Sequence, residues 1–158
     1  MSGTGRGEQI ALEDLAPGQR RSFGPRVLTR EEIIAFARDW DPQPFHLDEE
    51  AAARSPFGGL IASGWQTAAL CMRLVVDGLL AGSTSMGSPG LDELRWLKPV
   101  RPGDAITVEL TILEVTPSRS KPDRGTARIS YVCTNQKGET VMTMIARSMF
   151  LRRGAAAR

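Results

Sequence analysis

Gly64-Trp65-Gln66-Thr67-Ala68-Ala69-Leu70-Cys71-Met72-Arg73-Leu74-Val75-Val76-Asp77-Gly78-Leu79-Leu80 is helical in propensity and apolar around most of its circumference, with Arg73 and Asp77 its only charged residues. A helix of that character is expected to be buried. Its two charges, four residues apart, share a face where they pair with each other or meet solvent. After Ser83 the periodicity changes to two. Ile106, Val108, Leu110 and Ile112 alternate with Thr107, Glu109 and Thr111, and Ala127, Ile129, Tyr131 and Cys133 alternate with Arg128, Ser130 and Thr134. Each pattern predicts a strand with one face in the core and one in solvent. Residues 140–151 read as a third long strand, apolar on both faces, and residues 91–100 and 21–28 add two more. Arg101-Pro102-Gly103-Asp104, Lys121-Pro122-Asp123-Arg124-Gly125 and Asn135-Gln136-Lys137-Gly138 break the strands, and connections this short favour antiparallel neighbours. The fold class is therefore α+β, one long buried helix lying on an antiparallel sheet.

Upstream, Thr29-Arg30-Glu31-Glu32 is a capping-box pattern, in which the Thr hydroxyl and the Glu carboxylate reciprocally satisfy free amides. It predicts a helix whose apolar face is Ile33, Ile34, Phe36, Ala37 and Trp40, stopped by Asp41-Pro42-Gln43-Pro44 because residues before proline leave the α region. A short second helix is expected over residues 48–54 with Asp48 as its N-cap. Residues 1–9 and the basic tail 152–158 are expected to fray, leaving residues 10–151 as the domain.

A length of 158 residues suits one domain. With 20 Lys and Arg against 18 Asp and Glu, the balance is too even for an electrostatic nucleic-acid binder. No apolar run approaches the ~18 residues of a membrane span, and the first fifteen residues hold no apolar leader core, so a cytoplasmic location is expected. Cys71 and Cys133 lie far apart in sequence and form no paired framework, which argues for small buried hydrophobes rather than a disulfide or redox pair. The single histidine, His46, leaves no basis for a zinc site of His and Cys ligands, so no metal is expected.

The chemistry concentrates in Asp41-Pro42-Gln43-Pro44-Phe45-His46, which sets a carboxylate and the only imidazole five residues apart in a loop stiffened by two prolines. Such a pair can hold a water and move protons at a neighbouring carbon. The alternative is that Asp41 closes the loop and His46 is a packed histidine. Phe57-Gly58-Gly59-Leu60-Ile61-Ala62-Ser63-Gly64 then leads into the long helix. Amides at a helix start point outward unpaired, the macrodipole adds partial positive charge, and a glycine lets a ligand carbonyl come close. That is the makings of an oxyanion hole, unless the glycines only form a tight turn.

These two segments, with Leu97-Lys98-Pro99-Val100-Arg101-Pro102-Gly103-Asp104, resemble the MaoC-like (hydratase 2) branch of the hotdog-fold superfamily, acyl dehydratases and (R)-specific enoyl-CoA hydratases, over residues 20–151. The family signature is Asp-x-Asn-Pro-x-His with a glycine eighteen residues further on, and that spacing from His46 falls on Gly64. The resemblance implies a single hotdog domain, the long helix wrapped by a curved antiparallel sheet. It implies that Asp41 and His46 are the water-activating pair and that the Gly64 amide donates to a thioester carbonyl. Gln43 stands where the family has Asn, and Pro42 follows Asp41, so the support of the loop differs. Ser63, Gly59, Phe45 and Trp65 are the expected substrate-binding residues, with the rings of Phe45 and Trp65 narrowing an acyl tunnel. Arg73, Arg95 and Lys98 are weaker candidates for coenzyme A phosphates.

The implied function is reversible hydration of a trans-2-enoyl thioester. Coenzyme A is then the carrier portion of the substrate and no cofactor is needed. The alternatives are a hotdog thioesterase or a non-catalytic acyl-thioester-binding or structural subunit. A homodimer or higher homo-oligomer is expected, because an open sheet has an edge to protect.

Overall fold

The computed structural model describes residues 8–155. Strand β1 (Arg20–Val27) is followed by helices α1 (Arg30–Trp40), α2 (Pro44–Leu47), α3 (Glu49–Ala53) and α4 (Gly64–Gly78), then by β2 (Gly90–Trp96), β3 (Ala105–Pro117), β4 (Arg124–Thr134) and β5 (Thr140–Leu151). The strands form one antiparallel sheet in the order β1-β3-β4-β5-β2. The two hairpins β3–β4 and β4–β5 follow from their short connections. β2 does not join its sequence neighbour β3 but pairs with β5 at the far edge, Trp96 opposite Met142. It ends at Trp96 rather than running on to residue 100, because Leu97 and Lys98 both turn their amides onto the Val141 carbonyl.

The alternation seen in the sequence sets the faces. Ile106, Val108, Leu110 and Ile112 of β3 and Ala127, Ile129, Tyr131 and Cys133 of β4 are buried, while their neighbours lie on the outer surface. Leu70, Cys71, Leu74 and Val75 of α4 join them in one core cluster. Burial on this scale dominates stability at roughly 25 cal/mol per Å² of apolar surface.

Helix α4 departs from the expectation of burial. Only one side is covered by the sheet, and Trp65 and Met72 on the other are 60% and 45% exposed. A single sheet layer covers a single helix face. Arg73 and Asp77 pair with each other at 2.8 Å on that open side.

Thr29 caps α1 as expected, its hydroxyl accepting from the Glu32 amide at 3.2 Å. The Glu32 carboxylate does not complete the capping box; it pairs with Arg26 instead. The expected frayed ends divide. Residues 1–7 and 156–158 lie outside the described residues, but Arg152 and Arg153 are tied to the body. The Arg152 amide donates to the Asp123 carbonyl, and Arg153 pairs with Glu8 and Asp14. Ile10 is held by backbone bonds to Gly82 and Thr84.

The two cysteines, distant in sequence, meet in the core between α4 and β4 as free thiols. Contact with Cys133, together with burial, pushes the Cys71 thiol far up, so it stays protonated.

Candidate active site

Asp41 ends α1, its amide donating to the Ala37 carbonyl at 2.9 Å. The segment after it is not the plain loop that the prolines suggest. Pro44 occupies the first position of a one-turn helix, where its missing N–H costs nothing, and this turn carries Phe45 and His46. Gln43 precedes the turn and donates its side-chain amide to Asp41 Oδ1 at 2.7 Å. The residue that departs from the family signature is thus a direct support of the carboxylate.

His46 is buried, at 4% exposure. Its Nδ1 lies 2.7 Å from the Ile61 carbonyl and its Nε2 lies 3.1 Å from Asp41 Oδ2. A carbonyl only accepts, so the partners assign a hydrogen to Nδ1. The Nε2–Oδ2 contact is then a hydrogen bond only with a proton between the two atoms, carried by one or the other. A proton on Nε2 makes the contact a hydrogen bond donated to the carboxylate.

Burial raises the Asp41 carboxyl, but the influence of the nearby Ser63 hydroxyl and the hydrogen bond from the Gln43 amide outweigh it, joined by the charge of His46. The net result holds Asp41 below the usual carboxylate range.

Two backbone bonds place the glycine-rich segment against this turn: the Ile61 amide donates to the Phe45 carbonyl at 3.2 Å and the Ala62 amide to the Val100 carbonyl at 2.8 Å. Arg101 holds the start of the segment through the Phe57 carbonyl at 2.7 Å. Helix α4 begins at Gly64 with no side-chain cap from Ser63. The amides of Gln66 and Thr67 turn back to the Ser63 carbonyl, whereas those of Gly64 and Trp65 have no intrahelical acceptor.

A cavity of about 360 Å³ opens beside His46 and Gly64, its lining including Phe45, Phe57, Trp96 and Leu97. It is mostly apolar with few polar groups, the character of a ligand site. Asp41 is not among its lining residues, but its carboxylate is 17% exposed and stands against Nε2 of His46, which does line it.

The other expected residues fall in different places. Phe45 lines the cavity, its ring edge-on to His46 at 4.6 Å. Ser63 is buried off the cavity wall, its hydroxyl without a hydrogen-bond partner among the described residues. Gly59 lies by Arg101 and off the cavity wall. Trp65 points outward and lies edge-on to Trp96 at 5.0 Å, so it meets the cavity only through that ring. Lys98 lines the cavity and pairs with Glu139, whereas Arg73 and Arg95 are away from it, engaged by Asp77 and Glu93.

Sequence reasoning missed Trp96, Phe57 and Thr67 as cavity residues. Thr67 was findable, one helical turn beyond Gly64. Trp96 had no local signal, because its place depends on which strand β2 joins.

Comparison with known proteins agrees with this geometry. The family model described as MaoC like domain matches residues 13–133. The 3-hydroxybutyryl-CoA dehydratase of Methylorubrum extorquens is 31% identical over 130 residues, 79% of this chain and 74% of that protein. The crystal structure of a MaoC-like dehydratase from Rhodospirillum rubrum superposes with a TM-score of 0.85 at 47% identity, covering 92% of this chain and 99% of that one. The R-hydratase PhaJ1 from Pseudomonas aeruginosa superposes with a TM-score of 0.76 at 28% identity over 95% and 93% of the two chains. With its long helix on a curved five-stranded antiparallel sheet, this chain has the single hotdog fold and belongs to the MaoC-like dehydratase family.

Proposed function

We propose that this protein reversibly hydrates a trans-2-enoyl thioester, with coenzyme A as the carrier portion of the substrate and no cofactor. The observation that carries the reading is the Asp41–His46 contact, with Nδ1 fixed on the Ile61 carbonyl and the pair opening through His46 onto an apolar cavity beside the unpaired Gly64 amide.

The proton inventory closes with these groups alone. The thioester carbonyl accepts a hydrogen bond from the Gly64 amide, which draws electrons from the double bond and makes the β-carbon electrophilic. Water lies beside the pair, since 3.1 Å between Nε2 and Oδ2 leaves no space for it between them. Asp41 takes a proton from that water as its oxygen bonds to the β-carbon. The enolate collapses by taking the Nε2 proton onto the α-carbon. The pair is left as carboxylic acid and neutral imidazole, and one proton crossing the Oδ2–Nε2 contact restores it. Because Ile61 occupies Nδ1, only Nε2 takes part. Dehydration is the same path in reverse.

A panel of enoyl-CoA substrates, followed at the ultraviolet band of the conjugated double bond, tests the proposal. Loss of that absorbance with 3-hydroxyacyl-CoA as product is expected, and release of free thiol without hydration would favour the thioesterase alternative.

We further propose a homodimer. The β2 edge presents unpaired backbone groups beside the exposed side chains of Leu91, Trp96 and Leu97, and the open side of α4 adds Trp65 and Met72. Exposed apolar residues gathered at one open edge mark a surface that another chain covers. Light scattering should return twice the 17.2 kDa chain mass or a multiple of it; a monomer at micromolar concentration would contradict the proposal.

A further inference from the structure

We propose that Trp96, rather than Trp65, is the residue that sets the length of the acyl group, by closing the cavity beside Gly64. This inference rests on the acyl-thioester reading of the same site.

Three contacts fix the ring. Its Nε1–H donates to the Gly64 carbonyl at 2.8 Å. Trp65 lies edge-on against it at 5.0 Å with 80° between the planes. Behind it, the Leu97 amide anchors the chain to the Val141 carbonyl at 2.8 Å. The indole also covers the Gly64 backbone so closely that a Cβ at position 64 would lie 2.5 Å from Trp96 Cε2. Glycine at 64 and tryptophan at 96 are therefore a matched pair. The absent side chain is what lets the ring form the wall, and the wall stands next to the amide assigned to the thioester carbonyl.

A wall held by a hydrogen bond on one side and an aromatic neighbour on another does not give way to a longer tail. The cavity, at about 360 Å³, lies at the small end of the roughly 300–1,000 Å³ typical of ligand pockets. With Phe45 and Phe57 also lining it, the space suits a short acyl group.

Calorimetric binding of two saturated, unreactive thioesters, butyryl-CoA and octanoyl-CoA, to the full chain tests this. The native protein is expected to bind the four-carbon group more tightly. Trp96→Ala and Trp96→Leu are expected to shift the ratio of the two affinities toward the eight-carbon group by about tenfold or more, the scale on which apolar pockets discriminate chain length. Trp96→Phe, which keeps a ring at the wall, should retain the native preference. A native preference for octanoyl-CoA would overturn the inference, as would an unchanged ratio in whichever of the Ala and Leu variants keeps the native circular dichroism. Absence of binding by either thioester would overturn both this inference and the functional reading. Binding in the expected ratio without turnover of the matching enoyl thioesters would remove the hydratase reading and leave the wall assignment standing.

Discussion

The two ends of α4 use one packing device to different ends. Each end is a glycine under an aromatic ring from a different edge strand: Gly78 under Phe23 of β1, and Gly64 under Trp96 of β2. At the C-terminal end the contact is purely apolar. Phe23 packs against the core, the chain closes with the Leu79 amide on the Val75 carbonyl at 2.8 Å, and Leu80–Gly82 forms a further turn. At the N-terminal end the ring also carries a polar group, engaged with the Gly64 carbonyl, and the first amides of the helix stay free beside the imidazole. The comparison separates what the glycines do sterically, which is the same, from what the helix end offers chemically, which is not. Chemistry follows the positive end of the dipole and its unpaired donors.

The largest effects should come from the chemical end. Asp41→Asn and His46→Gln are each expected to lower hydration by about 10²–10⁴-fold, the usual contribution of a positioned acid or base. Both variants should stay folded at assay temperature, as read by circular dichroism beside the ultraviolet assay, with thermal midpoints lowered by the loss of a buried contact.

The glycines test the comparison itself. Gly64→Ala and Gly78→Ala each drive a methyl into a ring, and each should destabilise by about 1–3 kcal/mol, the usual cost of overpacking. Gly64→Ala keeps the backbone N–H, but its methyl must displace the Trp96 ring or the helix start that aims that amide, so it should also lower kcat/KM by about 10²-fold, the scale of an ~1 Å misplacement. Gly78→Ala should leave turnover per folded molecule unchanged. Equal losses of activity in the two variants would break the distinction between the ends.

The smallest effect concerns Gln43. Gln43→Leu removes one of the hydrogen bonds that hold the Asp41 carboxyl down, so the acid limb of kcat/KM should move to higher pH. The stability effect has the same origin. Because the folded pKa of Asp41 is depressed, its contribution is present above the unfolded value and is lost as pH falls through the folded one. The variant should therefore lose its stability advantage at a higher pH than the native protein. A pH–rate profile with an unmoved acid limb would show that Gln43 holds the loop and not the charge.

Local signals were legible, and non-local ones were not. The Thr29 cap, the alternation in β3 and β4 and the spacing from His46 to Gly64 all lie within a few turns of chain, and the structure follows them. Pro44 is equally readable as a helix start, since proline favours the first helical position. The place of β2 beside β5 is different in kind. Alternation says which side chains share a face but not which strand lies alongside, and everything that depends on that pairing was hidden with it. Trp96 on Gly64 and the exposed side of α4 both belong to that class. Cys71 against Cys133 is likewise a consequence of how α4 lies on the sheet.

Central to the proposed mechanism is that Asp41 and His46 act as a unit. A double-mutant cycle on hydration of a four-carbon enoyl-CoA measures this directly, using the native protein, Asp41→Asn, His46→Gln and the double variant. Groups that work as a unit are strongly non-additive, so the double variant should be little slower than the slower single one. Losses that multiply, or near-native turnover in either single variant, would contradict a pair acting as a unit and with it the proposed chemistry.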